Sequence, residues 1–315
     1  MRRFIFFLML VSSTTLTLAQ ESQTVYNFLR LPVSAHSTAL GGDNISLIED
    51  DPTLMFNNPA LAGSVSDKTI GLNFMTYMEG VKTASASFNR TSGERASWGV
   101  MAQYVDYGSM KETDADNNQL GTFSAKDIAI GGLFAYELTD KLVGGITAKF
   151  ITSNIGQYHS LAAGIDLGLN YYNPQKELSA SVAVRNLGGQ LSAYDDEYER
   201  MPADLQMGVT KRLVGSPLRL SATLVDMNHL DYKFINHLVV GAELLLSQTV
   251  WVGGGYNFCR ASEMTLNSGD DNESSHGAGL SIGAGLQLER FKINLGWAKY
   301  HVASSSLVIN LALSI

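Results

Sequence analysis

Leu307-Val308-Ile309-Asn310-Leu311-Ala312-Leu313-Ser314-Ile315 closes the chain with strict alternation. Leu307, Ile309, Leu311, Leu313 and Ile315 fall on one face of an extended segment, and Val308, Asn310, Ala312 and Ser314 on the other. The same period of two, broken by turns, runs back to Lys68. Such a pattern suits a membrane β-barrel, where one face meets lipid and the other a lumen, and closure leaves no unpaired edge in hydrocarbon. Counting alternating runs predicts about fourteen antiparallel strands, with cores at 68–77, 82–90, 95–107, 126–138, 141–153, 157–172, 177–187, 203–214, 217–226, 236–247, 249–258, 276–289, 290–302 and 305–315.

A soluble β-sandwich also alternates, and two features argue against it. Lys149, Asp166, Arg185, Arg219, Glu243 and Lys292 all fall on the small or polar face. On a lipid face each cation would cost about 2–4 kcal/mol at mid-membrane. Lys211 and Lys299 break this parity near strand ends, where a long side chain can snorkel. Connection lengths also sort by parity. Long ones, 108–125, 188–202, 227–235 and 259–275, follow odd strands, while even strands end in tight turns such as Ser247-Gln248. The expectation is therefore an all-β transmembrane barrel at 67–315, with both termini periplasmic and the long loops extracellular.

Composition agrees. Charged residues make up only 17% of the 315, Gly is abundant at 30, and Pro is scarce at 6. Past residue 20 no apolar run approaches the ~18 residues of a spanning helix. Arg2 and Arg3, the apolar run Phe4 to Val11, and Thr17-Leu18-Ala19 read as a signal peptide over 1–19, with the mature chain beginning near Gln20. Cys259 is the lone cysteine, so no disulfide can form within the chain and no cysteine near the cleavage site suggests a lipoprotein. A net charge of −8 gives no reason to expect nucleic acid as a partner. Residues 20–66 do not alternate, and they read as a hatch or plug for a lumen that wall side chains alone do not fill.

No Ser-His-Asp spacing, phosphate loop or zinc constellation appears, so neither an enzyme nor a cofactor is expected. Acids cluster in the long loops: Glu112, Asp114 and Asp116; Asp195, Asp196, Glu197 and Glu199 beside Tyr194; Asp270, Asp271 and Glu273. Calcium would need several such oxygens, but the spacing matches no calcium loop, and solvated acidic loops are common. Asp166 and Arg185 are expected as diagonal lumen neighbours forming an ion pair that ties the wall or hatch together, a structural role favoured over the gating of a substrate. The lumen-facing residues, mostly Gly, Ala, Ser and Asn with those charges, argue against an apolar conduit.

The run Asp51-Pro52-Thr53-Leu54-Met55-Phe56-Asn57-Asn58-Pro59-Ala60-Leu61 resembles the "D-x-T…N-P-A" hatch signature of the FadL-type long-chain fatty acid transporters, carried here by Asp51, Thr53, Asn58, Pro59 and Ala60. Phe28–His36, Gln103–Thr113, Phe123–Ala129 and Ala183–Leu191 further resemble the PorV/PorQ branch of that superfamily, found in the type IX secretion system of Bacteroidetes. That resemblance implies a fourteen-stranded outer-membrane barrel with a hatch. It also implies a non-enzymatic anchor for the cell-surface attachment complex. Partners would be PorZ-like, PorU-like and PorV-like proteins, outer-membrane lipid and lipopolysaccharide, with the acidic loops as docking surface. The alternative is transport of long-chain fatty acids or other hydrophobic compounds.

Overall fold

The computed structural model describes residues 24–116, 118–229, 231–264, 266–268 and 272–315; the expected signal peptide, Asp270 and Asp271 lie outside them. Alternation along each strand produces β1 (Thr69–Thr76), β2 (Lys82–Ser92), β3 (Ala96–Thr113), β4 (Gln119–Thr139) and β5 (Leu142–Ile155). Next come β6 (Tyr158–Asn173), β7 (Leu178–Ser192), β8 (Asp204–Arg212), β9 (Leu218–Leu224), β10 (Leu238–Leu245) and β11 (Val250–Asn257). A short helix α2 (Phe258–Glu263) and a small hairpin of β12 (Leu266–Ser268) and β13 (Asn272–Ser274) precede β14 (Leu280–Gln287), β15 (Phe291–His301) and β16 (Ser304–Ser314). Helix α1 lies earlier, at Ala35–Ala39.

Fourteen of these strands close a barrel, with β11 joined to β14 and β1 to β16. All fourteen lie where the alternation puts them. In β1 against β16, Leu72 faces Leu311 and Asn73 faces Asn310, so each face stays in phase across the seam. Leu72, Phe74, Ile130, Phe134, Leu169 and Leu311 are exposed, as lipid contacts of a barrel are in a structure without lipid, while Asn73, Asn294 and Asn310 are buried toward the lumen. All six inward-assigned charges do point inward.

One expected loop is largely strand and a second is strand in its first third. β3 continues to Thr113 and β4 begins at Gln119, so most of 108–125 is a paired ribbon. A bulge between Asp106 and Ser109 allows this, with Gly108 at φ 73° supplying a conformation that other residues resist. Likewise β7 runs through Ser192. The wall is consequently uneven: β3 to β7 hold 14–21 residues each, β8 to β11 and β14 only 7–9.

Residues 24–66 thread the lumen from end to end. Thr24 bridges Arg200, in the connection between β7 and β8 at the long-loop end. At the other end the Ser66 amide donates to Asp50, Asn89 Nδ2 donates to the Val65 carbonyl, and the Ile315 amide donates to Lys68. The mature amino terminus expected near Gln20 lies outside the described residues; the first described residue, Thr24, and the last strand's end lie at opposite ends of the barrel. A hatch that enters at one end and leaves at the other cannot place its two limits together.

Candidate functional site: a hatch and an apolar seam

Local chemistry shapes the hatch. Asp51 accepts hydrogen bonds from the Thr53 amide (2.9 Å) and hydroxyl (2.7 Å) and caps a 3-10 turn, Pro52–Phe56. Asn58 accepts from the Ala60 amide (3.0 Å) and caps a second, Pro59–Ser64. In each, proline follows the cap, where its missing N–H costs nothing. Asp51, Thr53, Asn58, Pro59 and Ala60 are all buried, so the signature residues build and seat two turns. Their seats are glycines of the wall. A Cβ on Gly145 would stand 2.5 Å from the Pro59 carbonyl carbon and the Ala60 nitrogen, and one on Gly71 2.8 Å from Pro52. Burial raises the Asp51 carboxyl despite its bonds from Thr53.

Charged side chains fasten the hatch to the low wall. Arg30 pairs with Asp226 at 3.2 Å, toward the long loops. Lower down, His36 Nε2 lies 2.8 Å from Glu243 Oε2, while its ring stacks on Trp251 with centroids 3.7 Å apart. Arg219 bridges Glu243 and Glu49, Gln287 donates to Glu49 (2.9 Å), and Lys292 pairs with Asp50. Burial works to raise the Asp50 carboxyl, but bonds from Lys292 and Ser66 prevail and hold it below its usual range. Parity marks Arg219, Glu243 and Lys292 as inward; their hatch partners Glu49 and Asp50 carry no signal in the sequence.

The high wall meets the hatch differently. Tyr26, Phe28 and Leu29 pack on Val81, Val105, Ala129, Ile151 and Ala162 near the long-loop end. Toward the turns, Met55, Ala62 and Val65 pack on Met101, Leu133 and Ala135. Between the two clusters lies a cavity of about 20 Å³, counted by the centres of a water-sized sphere, which is room for about one water. Leu29, Leu31, Val33, Phe56 and Met101 line it, with Gln103, Lys149, Asp166 and Arg185 at its polar side. Apolar packing between plug and wall thus recurs toward both ends of the barrel, an interrupted seam with a cavity of mixed polar and apolar lining between its two parts. The expected lumen of small, polar and charged residues holds for the low wall and for much of the high wall, where Gln103, Asp127, Ser153 and Asp166 are buried, and gives way to larger apolar side chains only at these two clusters.

The Asp166–Arg185 ion pair does not form. Asp166 pairs with Lys149 at 2.7 Å and accepts the Asn186 amide at 2.7 Å. Arg185 instead donates to the Leu29 carbonyl of the hatch at 3.1 Å. A register shift between Ile165 and Leu167, with Asn186 at φ 57°, swings the Asn186 amide onto Asp166. Both residues still line the cavity.

The docking candidates divide. Glu112 lies on the β3 ribbon, and Asp114 caps the ribbon's tip by accepting the Asp116 (3.0 Å) and Asn118 (2.8 Å) amides. Asp195, Asp196, Glu197 and Glu199 are exposed between β7 and β8. Tyr194 is half-buried instead: its ring lies 6.3 Å from Tyr26 and its hydroxyl donates to Ser153, which makes it part of the apolar cluster. Glu273 falls in β13. Among the described residues no group of three His, Cys, Asp or Glu side chains is placed to hold a metal ion.

No protein-family profile matches the chain, and no curated protein matches its sequence. Solved structures do share the fold. The toluene transporter TodX of P. putida matches with a TM-score of 0.59 and 12% identity, covering 91% of this chain and 99% of that one. The monoaromatic hydrocarbon channel CymD matches with a TM-score of 0.58 and 13% identity, covering 91% of this chain and 98% of that one. The barrel thus shares its fold with these hydrocarbon channels, and that fold fits an outer-membrane location.

Proposed function

We propose that this chain is an outer-membrane channel for hydrophobic compounds, with the threaded hatch as its closure and no catalytic step of its own. The observation that carries this reading is the interrupted apolar seam, whose Tyr26–Phe28 and Met55–Leu133 clusters would line the two ends of an oily solute's path past the hatch. The likeness in fold to hydrocarbon channels over nine-tenths of the chain supports it. Transfer of apolar solute surface from water into such a lining is favourable by about 25 cal/mol per Å².

The test is uptake of labelled toluene and of a labelled long-chain fatty acid by a Gram-negative host displaying the full chain in its outer membrane. We expect entry above that of the empty host for at least one of them. Ala129→Phe, which fills the seam beside the cavity, should abolish the gain while the barrel keeps its heat-dependent gel shift. Uptake equal to the empty host for both solutes overturns the reading.

The attachment-complex role is the second reading, carried by the PorV/PorQ-like strings; one of them, Gln103–Thr113, lies on the ribbon of β3 and β4. Detergent extraction with partners intact would recover a PorZ-like protein if that role holds.

A further inference from the structure

The uneven wall leaves the lipid band short on one side. A barrel strand tilted about 40° climbs about 2.6 Å per residue, and a transmembrane barrel presents an apolar band about 25 Å tall. On β4 the outward row from Leu138 to Ile128 covers about ten residues, or about 26 Å. On β10 the row from Leu238 to Leu246, one residue past the strand's end, covers about eight, or about 21 Å. The deficit of about 5 Å falls at the long-loop end, because β10 begins there. Joined directly to that end is the 3-10 helix Phe234–His237, whose C-cap is Leu238 itself. Four residues of such a helix extend about 8 Å along its axis, more than the deficit. Phe234 is 69% exposed and Ile235 47%, and the residue before them is Lys233. Helix α2 buttresses the segment from the next connection, with Asn236 Nδ2 donating to Ser262 Oγ at 2.8 Å.

We propose that Phe234 and Ile235 are lipid contacts. The segment is an interfacial anchor that continues the outward row of β10 into the outer edge of the bilayer, with the Lys233 ammonium at headgroup level. Its occupant is lipid acyl chain, because the exposed pair is continuous with a face that already meets lipid. This inference is independent of what the lumen carries.

The test uses the full chain with Cys259→Ser, carrying Phe234→Cys labelled with a bimane fluorophore, in phosphatidylcholine vesicles with and without bromine on the acyl chains. Ile282→Cys on β14, where Ile282 is 58% exposed, is the lipid-facing control, and Asp114→Cys at the ribbon tip is the aqueous one. Bromine should quench the label at position 234 at least half as strongly as at 282, and leave it unchanged at 114. Where Phe234→Cys fails to show the folded gel shift, Ile235→Cys takes its place. A label at 234 or 235 as indifferent to bromine as the one at 114 overturns the anchor, whether water or a protein partner covers the site.

Discussion

Replacing Gly145 by alanine tests how tightly the plug is held. The added methyl would lie 2.5 Å from both the Pro59 carbonyl carbon and the Ala60 nitrogen, and 2.8 Å from the Pro59 oxygen. Favourable carbon contacts begin near 3.5 Å, so plug and wall must part by about 1 Å. Both neighbours are backbone, which has no rotamer to turn aside. Overpacking of this kind costs about 1–3 kcal/mol. Gly132→Ala on β4 is the control, because nothing lies within 4 Å of its Cβ and a strand gains slightly from losing a glycine. Urea unfolding in lipid vesicles, followed by tryptophan fluorescence, reads the stability, and amide exchange over residues 54–62 reads the plug. We expect Gly145→Ala to lower stability by about 1–3 kcal/mol or to speed exchange in that segment, with Gly132→Ala matching the wild type. If Gly145→Ala is as stable as Gly132→Ala and its plug amides exchange at the wild-type rate, the seating argument fails.

The ion network under the hatch should be costlier to break. Arg219→Ala leaves Glu243, 2% exposed, facing Glu49 with only His36 to compensate, and should lose about 3–5 kcal/mol in the same unfolding assay. Adding Glu243→Gln should restore part of that loss, and a loss under about 1 kcal/mol would put the network in the class of exposed pairs. Asp226 predicts a pH dependence. Burial, with Asp204 beside it, pushes its carboxyl up to about 7, so the folded chain holds a proton that the unfolded chain has released above about 4. Its contribution to stability is therefore fully present at low pH and lost as pH rises from about 4 to about 7. The unfolding midpoint of wild type minus that of Asp226→Asn should fall between pH 5 and pH 8; a rise would contradict the assignment.

The strands were legible because a one-residue slip would turn every side chain to the wrong face. That constraint places Lys149, Asp166, Arg219 and Glu243 inward without any knowledge of their partners. It fails where pairing departs from regularity. The bulge at Asp106 and Gly108 hides a ribbon inside an apparent loop, and the shift at Asp166 redirects Arg185 to Leu29. Partners joined across the lumen, such as Glu49 with Arg219 or Tyr26 with Ser160, are more than a hundred residues apart and share no local pattern. The apolar seam was missed for another reason. Val105, Ala129, Ile151 and Ala162 are a minority of all inward residues, and only the curvature of β3 to β6 gathers them on one side.

A plug that occupies the bore along its length bears on how the ring is sealed. The seam between β1 and β16 joins positions 69 and 314, so its closure bears the largest loop entropy of any strand pairing here. At wall glycines such as Gly145 and Gly255 the plug backbone lies directly against the wall. The pairing of β1 with β16 that completes the wall also completes the ring around the amino-terminal stretch. In this molecule the wall cannot be whole without the plug being surrounded.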